Sequence, residues 1–317
     1  MHNMNKQQYE TFLEQYKRLA RNDYWRIRME ETIANQEDII STYLKQSYRA
    51  YDKALQQIIK DISKLERKYS KMQLDSHIMN INRNLEIRKY IEARLELLAK
   101  SNVEKQAKLY AKILYEDYLN SMYTTQCIKG VTYYFPTLGQ KVIDELLMHN
   151  WMGRNYSDSI WNDTQRLAKK LNEVITTNMQ LGKSIKNMTE DLQKVTNSSK
   201  YACARLVRTE VIHFEGLAQR KAYEESGIEK YRFMATLDER TCEKCGKLDG
   251  KVFLLSEARE GINYPCLHPN TRSTTVAVIN NNLPKERMVR DEHGRSVRTE
   301  YMTYDEWKKK CMKEDAK

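Results

Sequence analysis

Residues 44–65 read Leu44-Lys-Gln-Ser-Tyr48-Arg-Ala-Tyr51-Asp-Lys-Ala-Leu55-Gln-Gln-Ile58-Ile-Lys-Asp-Ile62-Ser-Lys-Leu65. Apolar side chains return every three or four positions, with charged and amide residues between them. That period lays Leu44, Tyr48, Tyr51, Leu55, Ile58, Ile62 and Leu65 along one stripe of an amphipathic helix. Ile87, Ile91, Leu95 and Leu98, then Leu109 and Ile113, repeat the pattern. Neither proline nor glycine occurs between Gln7 and Asn120, so nothing in the sequence stops a helix outright. Lys64–Lys71 and Ser76–Asn84 are the expected places for a break. The stripes are compatible with a coiled arm and with a packed bundle.

Downstream, the first strong punctuation is Gly130–Gly139, with Pro136 and the aromatic run Tyr133–Phe135; it reads as the junction after the N-terminal helices. After Gly153-Arg154, a helix is expected from Tyr156 to about Met179. Its stripe is Ile160, Thr164, Leu167, Leu171, Val174 and Ile175, and Gly182 is its stop signal. Ser184 then opens a short helix through Met188 and Leu192 that closes near Val195. Ser198 or Ser199 caps a further helix, which reaches Ser226 and is stopped by Gly227. On it Cys203, Leu206, Phe214 and Leu217 form the apolar stripe. Glu210 falls on the same face and is expected to fix packing through Arg208, Arg240 or another basic partner. His213, at the stripe edge, reads as a packing residue.

The texture changes after Gly227. Glu229–Thr236 and Ser273–Ile279 read as strands, Val252–Leu255 as a short strand, Thr241–Gly250 as turns and Gly261–Pro269 as a loop. Asp249-Gly250 carries a hairpin signal between Leu248 and Val252. From Asn280 the chain is polar and basic, with a last short helix around Tyr304–Met312. The expected fold is therefore mainly α: long N-terminal helices over 1–130, a helical middle over 131–227, and a small C-terminal α+β unit over 228–280. A basic tail over 281–317 follows.

The chain has 317 residues, 54 Lys+Arg against 43 Asp+Glu, and a formal net charge of +11. Such a surplus favours polyanionic partners, because phosphate contacts release condensed counterions. Six cysteines are too sparse for a disulfide scaffold. The polar stretch Met1–Glu10 has no apolar signal region, and no run approaches the roughly 18 apolar residues of a membrane span. A soluble protein made in a reducing cytoplasm, with no membrane association, is expected.

The densest chemistry lies between Asp238 and Arg272. Cys242 and Cys245 form a C-x-x-C pair in Thr-Cys-Glu-Lys-Cys-Gly, and Cys266 and His268 follow. Zinc takes four such ligands tetrahedrally, and an extended backbone would aim Cys266 and His268 to one side. The candidate ligands of a zinc knuckle are thus Cys242, Cys245, Cys266 and His268; the competing reading is small buried cysteines. A redox pair would need a helix N-terminus at the first thiol, and Gly246 with Asp249-Gly250 argues against a helix there. No P-loop, nucleophile elbow, H-E-x-x-H or glycine-rich phosphate loop occurs, so no enzymatic activity is expected.

Five blocks carry a family resemblance. Arg205-Leu-Val-Arg-Thr-Glu210, Ala222-Tyr with Gly227-Ile, Asp238-Glu-Arg-Thr-Cys-Glu-Lys-Cys245, Leu248-Asp-Gly-Lys-Val-Phe253 and His268-Pro-Asn-Thr-Arg272 resemble the Mu F-like minor head proteins of tailed bacteriophages. In this pattern Arg208, Glu210, Asp238, Arg240, Asp249 and Gly250 are structural positions. The resemblance implies a minor capsid protein inside the virion, associated with the portal protein and with other capsid or scaffolding proteins. It further implies a part in head morphogenesis and in DNA packaging or ejection. Members of the family usually carry a third cysteine where this chain has Thr271, so here Cys266 would have to replace it as a ligand. Lys285, Arg287, Arg290, Arg295 and Arg298 are candidates for non-specific contact with double-stranded DNA. The neighbouring Glu286, Asp291 and Glu292 fit a solvated tail instead. Two rival classes remain: a zinc-ribbon nucleic-acid-binding protein, and a nucleotide- or DNA-processing enzyme built on Glu210, His213, Asp238 and Arg240.

Overall fold

The computed structural model describes residues 24–71, 76–129, 137–151, 153–181, 183, 185–279, 286–290 and 296–314. The punctuation at 130–136, the Gly182 stop and the Ser184 cap lie outside the described residues. In chain order the elements are α1 (Tyr24–Tyr69), α2 (Ser76–Lys129), α3 (Gln140–Leu147), α4 (Tyr156–Gln180), α5 (Ile185–Glu225), β1 (Lys230–Met234) and α6 (Glu243–Leu248). They continue with β2 (Val252–Leu254), β3 (Thr274–Ala277), β4 (Glu286–Arg290), β5 (Ser296–Glu300) and α7 (Tyr304–Glu314). The protein is mainly helical, with its small sheets near the C-terminus. Among the described residues two compact units interleave along the chain: those of 40–112 with 140–211, and those of 24–39 with 113–129, 137–139 and 212–314.

The unit of 40–112 and 140–211 is a helical bundle. The stripe residues Leu44, Tyr51, Leu55, Ile58, Ile62 and Leu65 are buried, as are Ile87, Ile91, Leu95, Leu98 and Leu109. Ion pairs Arg94–Asp61 (3.1 Å) and Lys68–Glu86 (2.8 Å) fix α1 and α2 as an antiparallel pair. On α5, Lys200 reaches Asp52 (2.5 Å) and the Cys203 thiol meets the Ser47 hydroxyl (3.4 Å). α4 starts with a capping box in which the Asn155 side chain accepts from the Asp158 N–H and the Asp158 carboxylate accepts from the Asn155 N–H. The Tyr156 ring meets Tyr110 edge-on at 5.2 Å. Within this unit the stripes therefore resolve as a bundle.

One helical expectation fails. The two helices expected over 184–226 are a single helix, α5. Asn197-Ser-Ser favours a cap only when the chain can leave the helix. Here Met188, Leu192, Thr196 and Cys203 are all buried on one face, and the Thr196 hydroxyl donates back to the Leu192 carbonyl at 2.9 Å. Burial on both sides of Ser198 outweighs the weak local propensity.

The second unit holds the sheet. Gly227, at φ +60°, ends α5 as expected, and the Ile228 N–H closes back on the Tyr223 carbonyl at 2.9 Å. The three-stranded antiparallel sheet has the order β2-β1-β3, with Tyr231 opposite Phe253 and Phe233 opposite Thr275. One face packs Tyr223, Ile228, Tyr231, Leu255, Ala258 and Tyr264; a second cluster joins Phe233, Ala235, Cys245 and Leu267. Gln219 and Tyr223 of α5 hydrogen-bond to β3 at Thr275 (2.8 and 3.3 Å). Gly216 lets α5 approach the 259–268 loop, since a Cβ there would lie 3.0 Å from the Pro265 carbonyl oxygen.

The described residues beyond 280 form regular elements where a basic tail was expected. β4 and β5 pair antiparallel, and α7 follows. What holds them is a buried ion pair: Arg287 donates to both Asp249 carboxylate oxygens (2.7 and 3.1 Å) and to the Met302 carbonyl (2.8 Å). Asp249 also accepts the backbone N–H groups of Ala235 (2.7 Å) and Tyr304 (2.8 Å). The two side chains are 5% and 0% exposed. The cost of desolvating both charges is offset by this saturated set of hydrogen bonds.

Candidate metal centre

The C-x-x-C pair does stand at a helix N-terminus, contrary to the expectation that Gly246 would forbid one. Cys242 is the N-cap of α6, and its sulfur accepts from the Cys245 N–H at 3.4 Å. Gly246 is inside the helix, not a breaker: a Cβ there would run into the Tyr304 ring, so the glycine serves close approach. Asp249-Gly250 (φ +76° at Gly250) turns the chain out of α6 into β2 and does not join two strands.

One helical turn brings both thiols to the same side, and the 268–271 turn, closed from the Thr271 N–H to the His268 carbonyl at 3.1 Å, delivers the imidazole. His268 Nε2 lies 3.1 Å from Cys242 Sγ and 3.2 Å from Cys245 Sγ. Its Nδ1 faces the Pro269 carbonyl at 2.9 Å. A carbonyl can only accept, so Nδ1 carries the proton and Nε2 presents its lone pair to the thiols. All three donor atoms lie within 4.8 Å of one another. Burial works to raise the Cys242 thiol, but the Cys245 N–H and His268 outweigh it and hold the group below its ordinary range. Burial pushes Cys245 up. Two sulfurs and an imidazole nitrogen form a zinc-type donor set, so the residues present fit such an ion in kind.

Cys266 does not join them. It is wholly buried, and its thiol donates to the His268 carbonyl at 3.4 Å. Aiming it beside His268 required extended backbone; instead Leu267 is drawn into the core with Phe233 and Cys245, and the chain turns at His268. Thr271, noted in the sequence at the position of the family's third cysteine, is buried with its hydroxyl 3.7 Å from Cys245 Sγ. The cluster opens on a small depression walled by Thr236, Arg240, Asn270 and Arg272.

Asp238 braces this wall. Its carboxylate takes both guanidinium nitrogens of Arg272 (2.7 Å for Nη2), the Thr241 hydroxyl (3.2 Å) and the Arg240 N–H (3.0 Å). Burial acts to raise the Asp238 carboxyl, yet Arg272, Thr241 and Arg240 hold it below the usual carboxylate range. Arg240 thus serves Asp238 rather than Glu210. Glu210 is buried on α5 near Tyr110 and Tyr156, whose hydroxyls are raised by burial and by its charge. Arg208 is exposed. His213 is buried with Nδ1 3.6 Å from Glu260, and burial lifts the Glu260 carboxyl to about 7 against the opposing charge of Arg220.

Of the residues expected to touch DNA, Arg287 is overturned, because its guanidinium is committed to Asp249. Arg298 is exposed on β5. Lys285, Arg295 and the Arg290 side chain lie outside the described residues.

Residues 169–276, from within α4 through β3, match the family described as phage Mu protein F-like protein. The chain is Mu F-like over that span. This Mu F-like segment holds Cys242, Cys245 and His268. The chain is also similar to an uncharacterized protein of Haemophilus influenzae, 24% identical over 169 residues; the aligned part is 46% of this chain and 37% of that protein. The chain thus spans little more than a third of that relative. No solved structure matches. Among the described residues no helix is long and apolar enough to cross a membrane.

Proposed function

We propose that this chain is a minor head protein of a tailed phage that works by binding, inside the capsid, to the portal oligomer and to packaged DNA. The Mu F-like match over 169–276 carries the reading. The net charge of +11 supports a phosphate-directed, sequence-independent contact with the genome. Arg298 belongs to that contact and Arg287 does not, since releasing it would strand the Asp249 carboxylate. Zinc held by Cys242, Cys245 and His268 would staple the start of α6 to the 268–271 turn, lending rigidity to a unit with a small core. No step of bond-making chemistry is assigned.

The test is co-sedimentation of the purified chain with the portal oligomer of the same phage, at low and high salt. The reading expects binding that survives high salt, and DNA binding that falls steeply with salt and ignores sequence. Absence of portal binding at both salts, with a folded protein, would sink the reading. Preference for one DNA sequence would favour the nucleic-acid regulator instead. Metal analysis of the wild type against Cys242→Ser tests the staple; equal, negligible zinc in both removes it.

A further inference from the structure

The proposed staple leaves a donor unaccounted for. A closed structural zinc site uses four protein ligands, whereas sites with three keep an exchangeable position. Among the described residues three protein donors converge here: Cys242, Cys245 and His268. Cys266 is turned away, with its thiol spent on the His268 carbonyl. The further polar groups at the cluster are hydroxyls: Thr271, 3.7 Å from Cys245 Sγ, and Ser273, which also hydrogen-bonds that thiol. A neutral hydroxyl is a poor zinc ligand beside thiolate and imidazole. The cluster is not sealed either, since Cys242 and His268 are partly exposed on the depression walled by Arg240 and Asn270.

Resting on the zinc reading, we infer that this is an open site: Cys242, Cys245 and His268 hold the ion, and the fourth position beside Thr271 is left to water or another small exchangeable ligand. The site is accordingly weaker than a four-ligand staple. It takes up and gives back metal in answer to supply, and it accepts a small external donor such as an imidazole or thiol group. Thr271 is the position at which a protein ligand would close it.

Cobalt(II) titration of the reduced full-length chain tests this, because its charge-transfer absorption counts thiolates and its visible bands report the fourth ligand. The wild type is expected to show two-thiolate absorption, and its visible bands are expected to move when imidazole is added. Thr271→Cys should raise the charge-transfer absorption by roughly half, as three sulfurs replace two, and should abolish the response to imidazole. Even groups behind the ligands alter metal affinity by about 10–100-fold, so a whole added thiolate is expected to tighten binding about 100-fold or more. Cys266→Ser should leave absorption and affinity unchanged. A loss of cobalt affinity in Cys266→Ser, or wild-type bands indifferent to imidazole, overturns the open position and leaves the staple standing. No cobalt uptake by the wild type above the Cys242→Ser baseline overturns both. The imidazole and Cys266→Ser readouts hold even if Thr271→Cys fails to fold.

Discussion

In the bundle of residues 40–112 and 140–211, burial is repetitive: Ile58, Ile91, Leu95, Leu171 and Ile175 each fill one slot of a periodic stripe. In the region from Gly227 to Glu314, position is fixed by a few polar centres. Asp249 gathers Ala235, Arg287 and Tyr304; Asp238 gathers Arg272, Arg240 and Thr241; His268 faces two thiols. Repetition spreads stability over many similar contacts, so trimming one is felt modestly. A polar centre concentrates it, so removing one member leaves the others buried and unmatched.

The largest test of that contrast is Arg287→Ala. It strands a buried carboxylate and is expected to cost about 3–5 kcal/mol in urea unfolding, with hydrogen exchange rising first in β4, β5 and the start of α7. A cost below about 1 kcal/mol, the scale of a surface pair, would break the comparison and restore Arg287 to the DNA face. Gly246→Ala comes next. The added methyl must displace the Tyr304 ring, whose backbone is tied to Asp249, and overpacking of this kind costs about 1–3 kcal/mol. Ile58→Val, which removes one methylene from the fully buried bundle core, should cost about 0.5–1.5 kcal/mol. Equal losses for Ile58→Val and Arg287→Ala would erase the distinction between the two regions.

The smallest effect is one of pH. The folded-state pKa of Asp238 lies below its ordinary value, so its ion pair with Arg272 contributes stability above the unfolded carboxylate pKa. That contribution is lost as pH falls through the lowered folded pKa. Asp238→Asn should therefore flatten the acid limb of a stability-versus-pH curve and leave the neutral-to-alkaline part parallel to wild type. An unchanged acid limb would mean that Asp238 is not held by Arg272 in solution.

The same contrast explains what was legible in the sequence. The stripes on α1, α2 and α4 were readable because helical burial has a local period, and Gly227 because a left-handed cap nearly demands glycine. The Cys242, Cys245 and His268 cluster was readable from residue type and spacing. Cys266 misled because facing two residues apart presumes extended backbone, which the turn at His268 denies. The cap at Ser198 misled because packing overrode propensity. Arg287 and Gly246 were illegible: their roles depend on Asp249 and Tyr304, partners far away in sequence, and no local pattern announces such a meeting.

Asp249 has one more consequence, which concerns the order of events on the ribosome. Its carboxylate emerges 38 residues before Arg287 and 55 residues before the Tyr304 N–H. At about 5–20 residues per second, the α6 turn with its two thiols waits several seconds before the groups that pin it are made. Until then the bundle helices, whose contacts are complete by Val211, can already be folded. The cysteine-bearing turn therefore settles after the bundle, and it stays open to its surroundings until Arg287 and Tyr304 have emerged.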